Sequence, residues 1–207
     1  MMRGKILLMT FAINFFPWSA AVTAQDHGHG SHMMKSAETL PGTSIYNLTS
    51  VWTDQEGKRV SLESLRGVPV VIAMGYTSCK DICPMIVADM IAIEDRAKEA
   101  SLPRIQFAFF SLDSAVDTPE RLKAYAKDHG LELADWTLFN GDDKAVRELA
   151  AVLGVRYRRD ARGSFDHSAI ISILDTDGRI VAQQLDVQAN TEEMVKKITA
   201  LFKAHAH

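Results

Sequence analysis

Two cysteines, Cys79 and Cys83, stand in the segment Thr77-Ser78-Cys79-Lys80-Asp81-Ile82-Cys83-Pro84 and are the only thiols in the chain. Two sulfurs at i and i+4 at the start of a helix can meet across one turn. The unpaired amides and positive dipole end of such a helix lower thiol pKa values toward the thiolate, the form that binds metals and exchanges disulfides. The pair is therefore open to three uses: a metal clamp, a redox couple or a permanent disulfide. The last gains least, because closing so short a loop removes little chain entropy. Soft thiolates select Cu(I) or Zn(II) over the oxygen-seeking Ca(II) and Mg(II). Structural zinc usually takes four protein ligands, so a site of two sulfurs and one nitrogen suits Cu(I) better. His167 follows Asp166 and precedes the apolar Ala169-Ile170-Ile171, at the mouth of a strand. Taken alone, it reads more readily as a histidine bonded to a nearby carbonyl than as a ligand.

The elements that must position these groups follow from pattern. Residues 70–74 form a continuous β-branched and apolar run between Gly67 and Gly75, with Pro69 at its entrance, as expected of a strand covered on both faces. Beyond Pro84, Ile86, Met90, Ile93 and Ala97 recur at helical spacing, with Asp89, Glu94, Asp95 and Lys98 elsewhere on the cylinder. The cysteines thus sit where a strand hands over to a helix. Upstream, 48–52 and 60–62 flank Asp54-Gln55-Glu56-Gly57-Lys58 as a hairpin. Downstream, strands at 105–111 and 136–140 alternate with helices at 119–127 and 143–153, the first opening on Thr118-Pro119, a capping residue and a helix-starting proline. After a short segment at 155–159, a second hairpin pairs 169–174 with 179–185 around Asp175-Thr176-Asp177-Gly178. An amphipathic helix at 191–202 closes the chain, and the alternation argues for an α/β domain.

Composition agrees with one such domain: 207 residues, 47% hydrophobic and 24% charged. The net charge of −3, without a Lys/Arg-rich block, argues against a nucleic-acid partner. Arg3 and Lys5, an apolar run at 6–16, Pro17 and a small-residue stretch ending at Ala24 have the layout of a secretory signal at 1–24. A retained membrane anchor is the alternative, although Asn14 and Pro17 interrupt a run already short of the ~20 residues that span a bilayer. Residues 25–40 read as a flexible tail bearing His27, His29, His32, Met33 and Met34, and 41–204 as the folded domain. Within the tail, Gly30-Ser31-His32-Met33 also occurs as a cloning remnant.

The segments Cys79-Lys80-Asp81-Ile82-Cys83-Pro84, Asp117-Thr118-Pro119-Glu120 and Asp166-His167-Ser168-Ala169, in this order, closely resemble the Sco (SenC-type) family of copper-binding proteins of cytochrome c oxidase assembly. The resemblance runs from about residue 48 to the final helix. It implies a thioredoxin-like fold with an added N-terminal hairpin, and copper, as Cu(I) or also Cu(II), held by Cys79, Cys83 and His167. In such folds a cis-proline loop usually faces the redox helix, and His167-Ser168 stands in its place. The implied role is delivery of copper to the binuclear centre of oxidase subunit II, or reduction of that subunit's cysteines. Implied partners are that subunit or another exported cuproprotein, and a thiol reductant or copper donor. The implied location is the bacterial periplasm, soluble after signal cleavage or tethered to the inner membrane. Asp81 and Asp166, beside the ligands, either tune the site or serve as a helix N-terminal acid and a solvated loop acid.

Two departures stand out. Family members usually carry a membrane anchor, and Leu112-Asp113-Ser114-Ala115-Val116 lacks the Pro and Arg often found before Asp-Thr-Pro. Rival readings are a thiol:disulfide oxidoreductase, in which His167 is dispensable, and a thiol peroxidase built on Thr77-Ser78-Cys79. The tail's imidazoles and thioethers could gather copper, or form a plain linker. Arg156, Arg158, Arg159 and Arg162 form either a docking patch for an acidic partner or a solvated hairpin.

Overall fold

A computed structural model describes residues 40–161, 163–188 and 191–204. The signal, nearly all of the His/Met tail, Arg162 and residues 205–207 lie outside the described residues. In chain order the elements are β1 (Val51–Asp54), β2 (Arg59–Ser61), β3 (Val70–Gly75), α1 (Ile82–Glu99), β4 (Gln106–Ser111), α2 (Pro119–Asp128) and β5 (Trp136–Gly141). They continue with α3 (Asp143–Leu153), β6 (Tyr157–Arg159), β7 (Phe165–His167), β8 (Ile171–Leu174), β9 (Ile180–Gln184) and α4 (Thr191–Ala204).

Seven strands form one mixed sheet in the order β2-β1-β5-β4-β3-β8-β9. Its centre, β5-β4-β3, is parallel, and the flanking pairs are antiparallel. Every residue of β3 is buried, because successive side chains enter opposite cores. Val71 and Ala73 join Ile86, Met90 and Ile93 of α1, whereas Ile72 and Met74 join Leu149, Ala150 and Leu153 of α3. That double coverage is why the strand is apolar throughout rather than alternating. The architecture is α/β and thioredoxin-like, with β1 and β2 as an N-terminal hairpin added to one sheet edge through β1–β5 pairing.

Helix boundaries follow local chemistry. Thr118 accepts a hydrogen bond from the Arg121 N–H with Pro119 at the first position of α2, and Asp142 caps α3 by accepting from the Ala145 N–H. Gly154 ends α3 at φ 73°, a left-handed conformation in which glycine carries no Cβ penalty.

Three expectations need correction. Residues 48–50 are not strand, because the chain leaves a 3₁₀ turn at Ile45–Asn47 and pairs only from Val51. Asp89 and Glu94, which lie off the apolar stripe of α1, are nevertheless buried. Glu94 accepts from Trp136 Nε1 at 2.6 Å and Lys98 Nζ at 2.7 Å, and Asp89 accepts from Gln184 Nε2 at 2.7 Å and the Gln188 N–H at 2.8 Å. Hydrogen bonds thus offset the cost of burying each carboxylate. Finally, residues 165–167, where the sequence pattern shows no strand, form β7 and pair with β6 as a separate two-stranded ribbon.

Candidate metal centre

The site begins where β3 ends. A Cβ on Gly75 would lie 2.8 Å from the Phe109 ring and 2.9 Å from Cys83 Sγ, so only glycine leaves room for that sulfur. The chain then turns, with the Cys79 N–H bonded to the Tyr76 carbonyl, and α1 starts at Ile82. Cys79 therefore precedes the helix, and Cys83 lies in its first turn. The Cys83 N–H reaches Cys79 Sγ at 3.5 Å, and the Tyr76 N–H reaches Cys83 Sγ at 3.4 Å. Both thiols are free.

The two sulfurs differ more than their shared motif suggests. Burial opposes ionisation of Cys79, but hydrogen bonds from the Cys83 and Asp81 backbone N–H groups outweigh it and hold this thiol below its ordinary value. Burial pushes the fully enclosed Cys83 thiol far up, and the charges on Cys79 and Asp117 push it further. The expectation that both would be lowered holds for Cys79 and fails for Cys83. A helix N-terminus does not compensate for removal of a sulfur from water on all sides.

His167 ends β7 opposite Tyr157 of β6. Its Nδ1 meets the Ser168 carbonyl at 3.1 Å, a contact that assigns the ring proton to Nδ1, and its Nε2 lies 3.1 Å from Cys83 Sγ. Burial pushes the imidazole pKa down, against the Ser168 carbonyl and the Asp166 charge, so the ring is neutral with its Nε2 lone pair turned on the sulfurs. The ligating atoms of Cys79, Cys83 and His167 all lie within 4.8 Å of one another. Two sulfurs and one neutral nitrogen are the donor set of a soft ion, and the residues present fit copper.

Asp81 and Asp166 stand at the rim instead. Asp81 is exposed and its side chain caps nothing, although its backbone N–H serves Cys79. Asp166 points the opposite way from His167 along β7 and faces Arg158 at 3.7 Å, so the imidazole is oriented by the Ser168 carbonyl. Arg159 pairs with the buried Asp113 at 2.7 Å and lies 4.5 Å from the Phe165 ring centroid. Two of the arginines considered for a docking patch thus have acidic partners within the protein. An open cavity of ≈ 670 Å³ faces the site, lined in part by Tyr76, Cys79, Ile82, Phe165 and His167.

Sequence reading missed the groups that hold the cysteine loop. Asp117, fully buried, accepts from the Thr77 N–H at 3.0 Å, Thr77 Oγ1 at 2.5 Å and Ser111 Oγ at 2.6 Å, while Arg121 Nε donates to Thr77 Oγ1 at 2.7 Å. The Asp117-Thr118-Pro119 motif marked this place in the sequence as a helix start and as part of the family resemblance, but nothing local tied Asp117 to Thr77, 40 residues away. Among the described residues no helix is long and apolar enough to cross a membrane.

Comparison with known proteins gives one direction. A family model described as SCO1/SenC matches residues 44–203. A SCO2-like protein of Rickettsia prowazekii is 30% identical over 157 residues, covering 72% of this chain and 72% of that protein. Among solved structures, a SCO1/SenC family lipoprotein from Bacillus anthracis superposes with a TM-score of 0.70 at 23% identity, covering 79% of this chain and 99% of that one. Bradyrhizobium japonicum ScoI, solved with copper bound, superposes with a TM-score of 0.57 at 26% identity, covering 73% of this chain and 96% of that one.

Proposed function

This chain belongs to the SCO1/SenC family, and from that premise we propose that it is an exported copper metallochaperone. It binds copper through Cys79, Cys83 and His167 and delivers it to the binuclear copper site of cytochrome c oxidase subunit II. The observation that carries the reading is the convergence of those three donors within 4.8 Å, with the histidine presenting Nε2 as an acceptor. Copper here is cargo, and the chain's own residues must both hold it and let it go. Cys79 and His167 line the cavity, from which a recipient thiolate can approach, while the fully buried Cys83 would retain the ion from behind. A three-coordinate site leaves room for the recipient's ligand to enter before a resident one departs.

The test is competition for Cu(I) against a chromophoric chelator under reducing conditions. Wild type is expected to hold a single Cu(I), Cys83→Ser to lose it, and His167→Ala to bind about tenfold or more weakly. Transfer to the isolated copper domain of subunit II, followed by its absorption spectrum, tests delivery. Equal, weak binding by wild type and His167→Ala overturns the copper reading.

The asymmetry of the thiols supports one alternative, a reductant of an exported cuproprotein's cysteines. In that reaction the Cys79 thiolate attacks a partner disulfide and forms a mixed disulfide. Cys83 then loses its proton and displaces the partner, which leaves as a dithiol while Cys79 and Cys83 become a disulfide. His167→Ala leaves the attack by Cys79 intact and can slow only the second step, where Nε2 stands 3.1 Å from the Cys83 thiol, whereas it removes a ligand from the copper site; copper affinity and disulfide attack measured on the same variant therefore separate the two readings. Export is part of the proposal, and N-terminal sequencing of the secreted form, expected to begin at Gln25, tests it.

A further inference from the structure

Resting on the copper reading of this site, we propose that Tyr76 is a positioning residue whose hydroxyl sets where His167 stands. The cysteines belong to the strand-to-helix turn of the main domain, but His167 is carried by a ribbon of two three-residue strands outside the central sheet. Something must fix the distance between them. Tyr76 touches both halves. Its backbone N–H is bonded to Cys83 Sγ at 3.4 Å, while its hydroxyl lies 3.2 Å from both the N–H and the carbonyl of Phe165, two residues before His167.

Both backbone groups of one strand residue point to the same edge, where a third strand would pair. The Tyr76 hydroxyl, accepting from one and donating to the other, takes the place of that strand. The ring adds edge contacts to Phe165 and His167, with centroids 5.3 and 5.9 Å away. Phe165 and His167 share a face of β7, so tethering the backbone at Phe165 fixes the plane from which the imidazole projects.

Tyr76→Phe deletes the oxygen and keeps the ring. Cu(I) affinity measured for wild type, Tyr76→Phe, His167→Ala and the double variant forms a cycle. The expected result is about tenfold weaker binding for Tyr76→Phe in the wild-type background and no further loss when His167 is already absent. Wild-type affinity in Tyr76→Phe, or the same loss in both backgrounds, overturns the role. Backbone amide exchange at residues 165–167 of the copper-free protein provides a readout independent of the metal. Exchange should be faster in Tyr76→Phe, and an unchanged rate also overturns the role. A wild type that binds no Cu(I) refutes the copper premise instead, and the exchange data tell that failure apart from this one.

Discussion

Cys83 hangs from an 18-residue helix packed on a sheet whose strand β3 is buried throughout, whereas His167 ends a ribbon of two strands with three residues each. The first region is held by two apolar cores, one on each face of the sheet. The second has no core of its own: Tyr157 leans on one of those cores, and the rest is held by Tyr76 on Phe165, Arg159 on Asp113, and Ser168 bonded back to Arg156. On the proposed copper reading, the difference suits a centre that must both bind an ion and release it. The thiols belong to the packed core, and the third donor is mounted on a short ribbon, where local opening is expected to cost less than unfolding.

The contrast breaks most severely if the thiol side is disturbed. Asp117→Ala leaves the Thr77 N–H and two hydroxyls without their buried acceptor, and should cost about 3 kcal/mol in chemical denaturation. Gly75→Ala drives a methyl group into Cys83 Sγ and the Phe109 ring, for about 2 kcal/mol. On the ribbon side, Phe165→Ala removes a partly buried ring at the edge of the fold and should cost about 1 kcal/mol of global stability, yet weaken copper binding. If the ribbon variant destabilised the whole protein as much as Asp117→Ala, the two regions would be one cooperative unit and the comparison would fail.

The two thiols sharpen the comparison within the rigid half. Iodoacetamide near neutral pH should label Cys79 well before Cys83, because Cys79 is the more acidic and the one facing the cavity. Mass spectrometry of brief reactions reads the order, and equal labelling contradicts the assignment. The sign of the pH dependence follows. Burial keeps Cys83 protonated well above its ordinary range, so copper must displace that proton, and Cu(I) affinity should rise with pH by about tenfold per unit for each proton released. His167, its pKa pushed down by burial, is already neutral and adds nothing to the slope above pH 7.

The sequence made the thiol half legible and the imidazole half only by resemblance. A covered strand, a helix of regular period and two cysteines between them are local patterns, readable without a structure. His167 had no such pattern, because β7 is too short for alternation to register. Its neighbours in space come from far along the chain: Tyr76 lies 89 residues from Phe165, and Thr77 lies 40 from Asp117. Asp89 and Glu94 show the converse, charged residues that a helical period sets off the apolar stripe but that side chains from other elements draw into the interior.

The central claim is that His167 completes a site begun by the two cysteines. X-ray absorption of the Cu(I)-loaded protein tests it most directly, by comparing wild type with His167→Ala. The structure calls for two sulfurs and one imidazole nitrogen in the wild type and for loss of the nitrogen scatterer in the variant. Identical spectra from the two proteins, with sulfur alone around the metal, would contradict it.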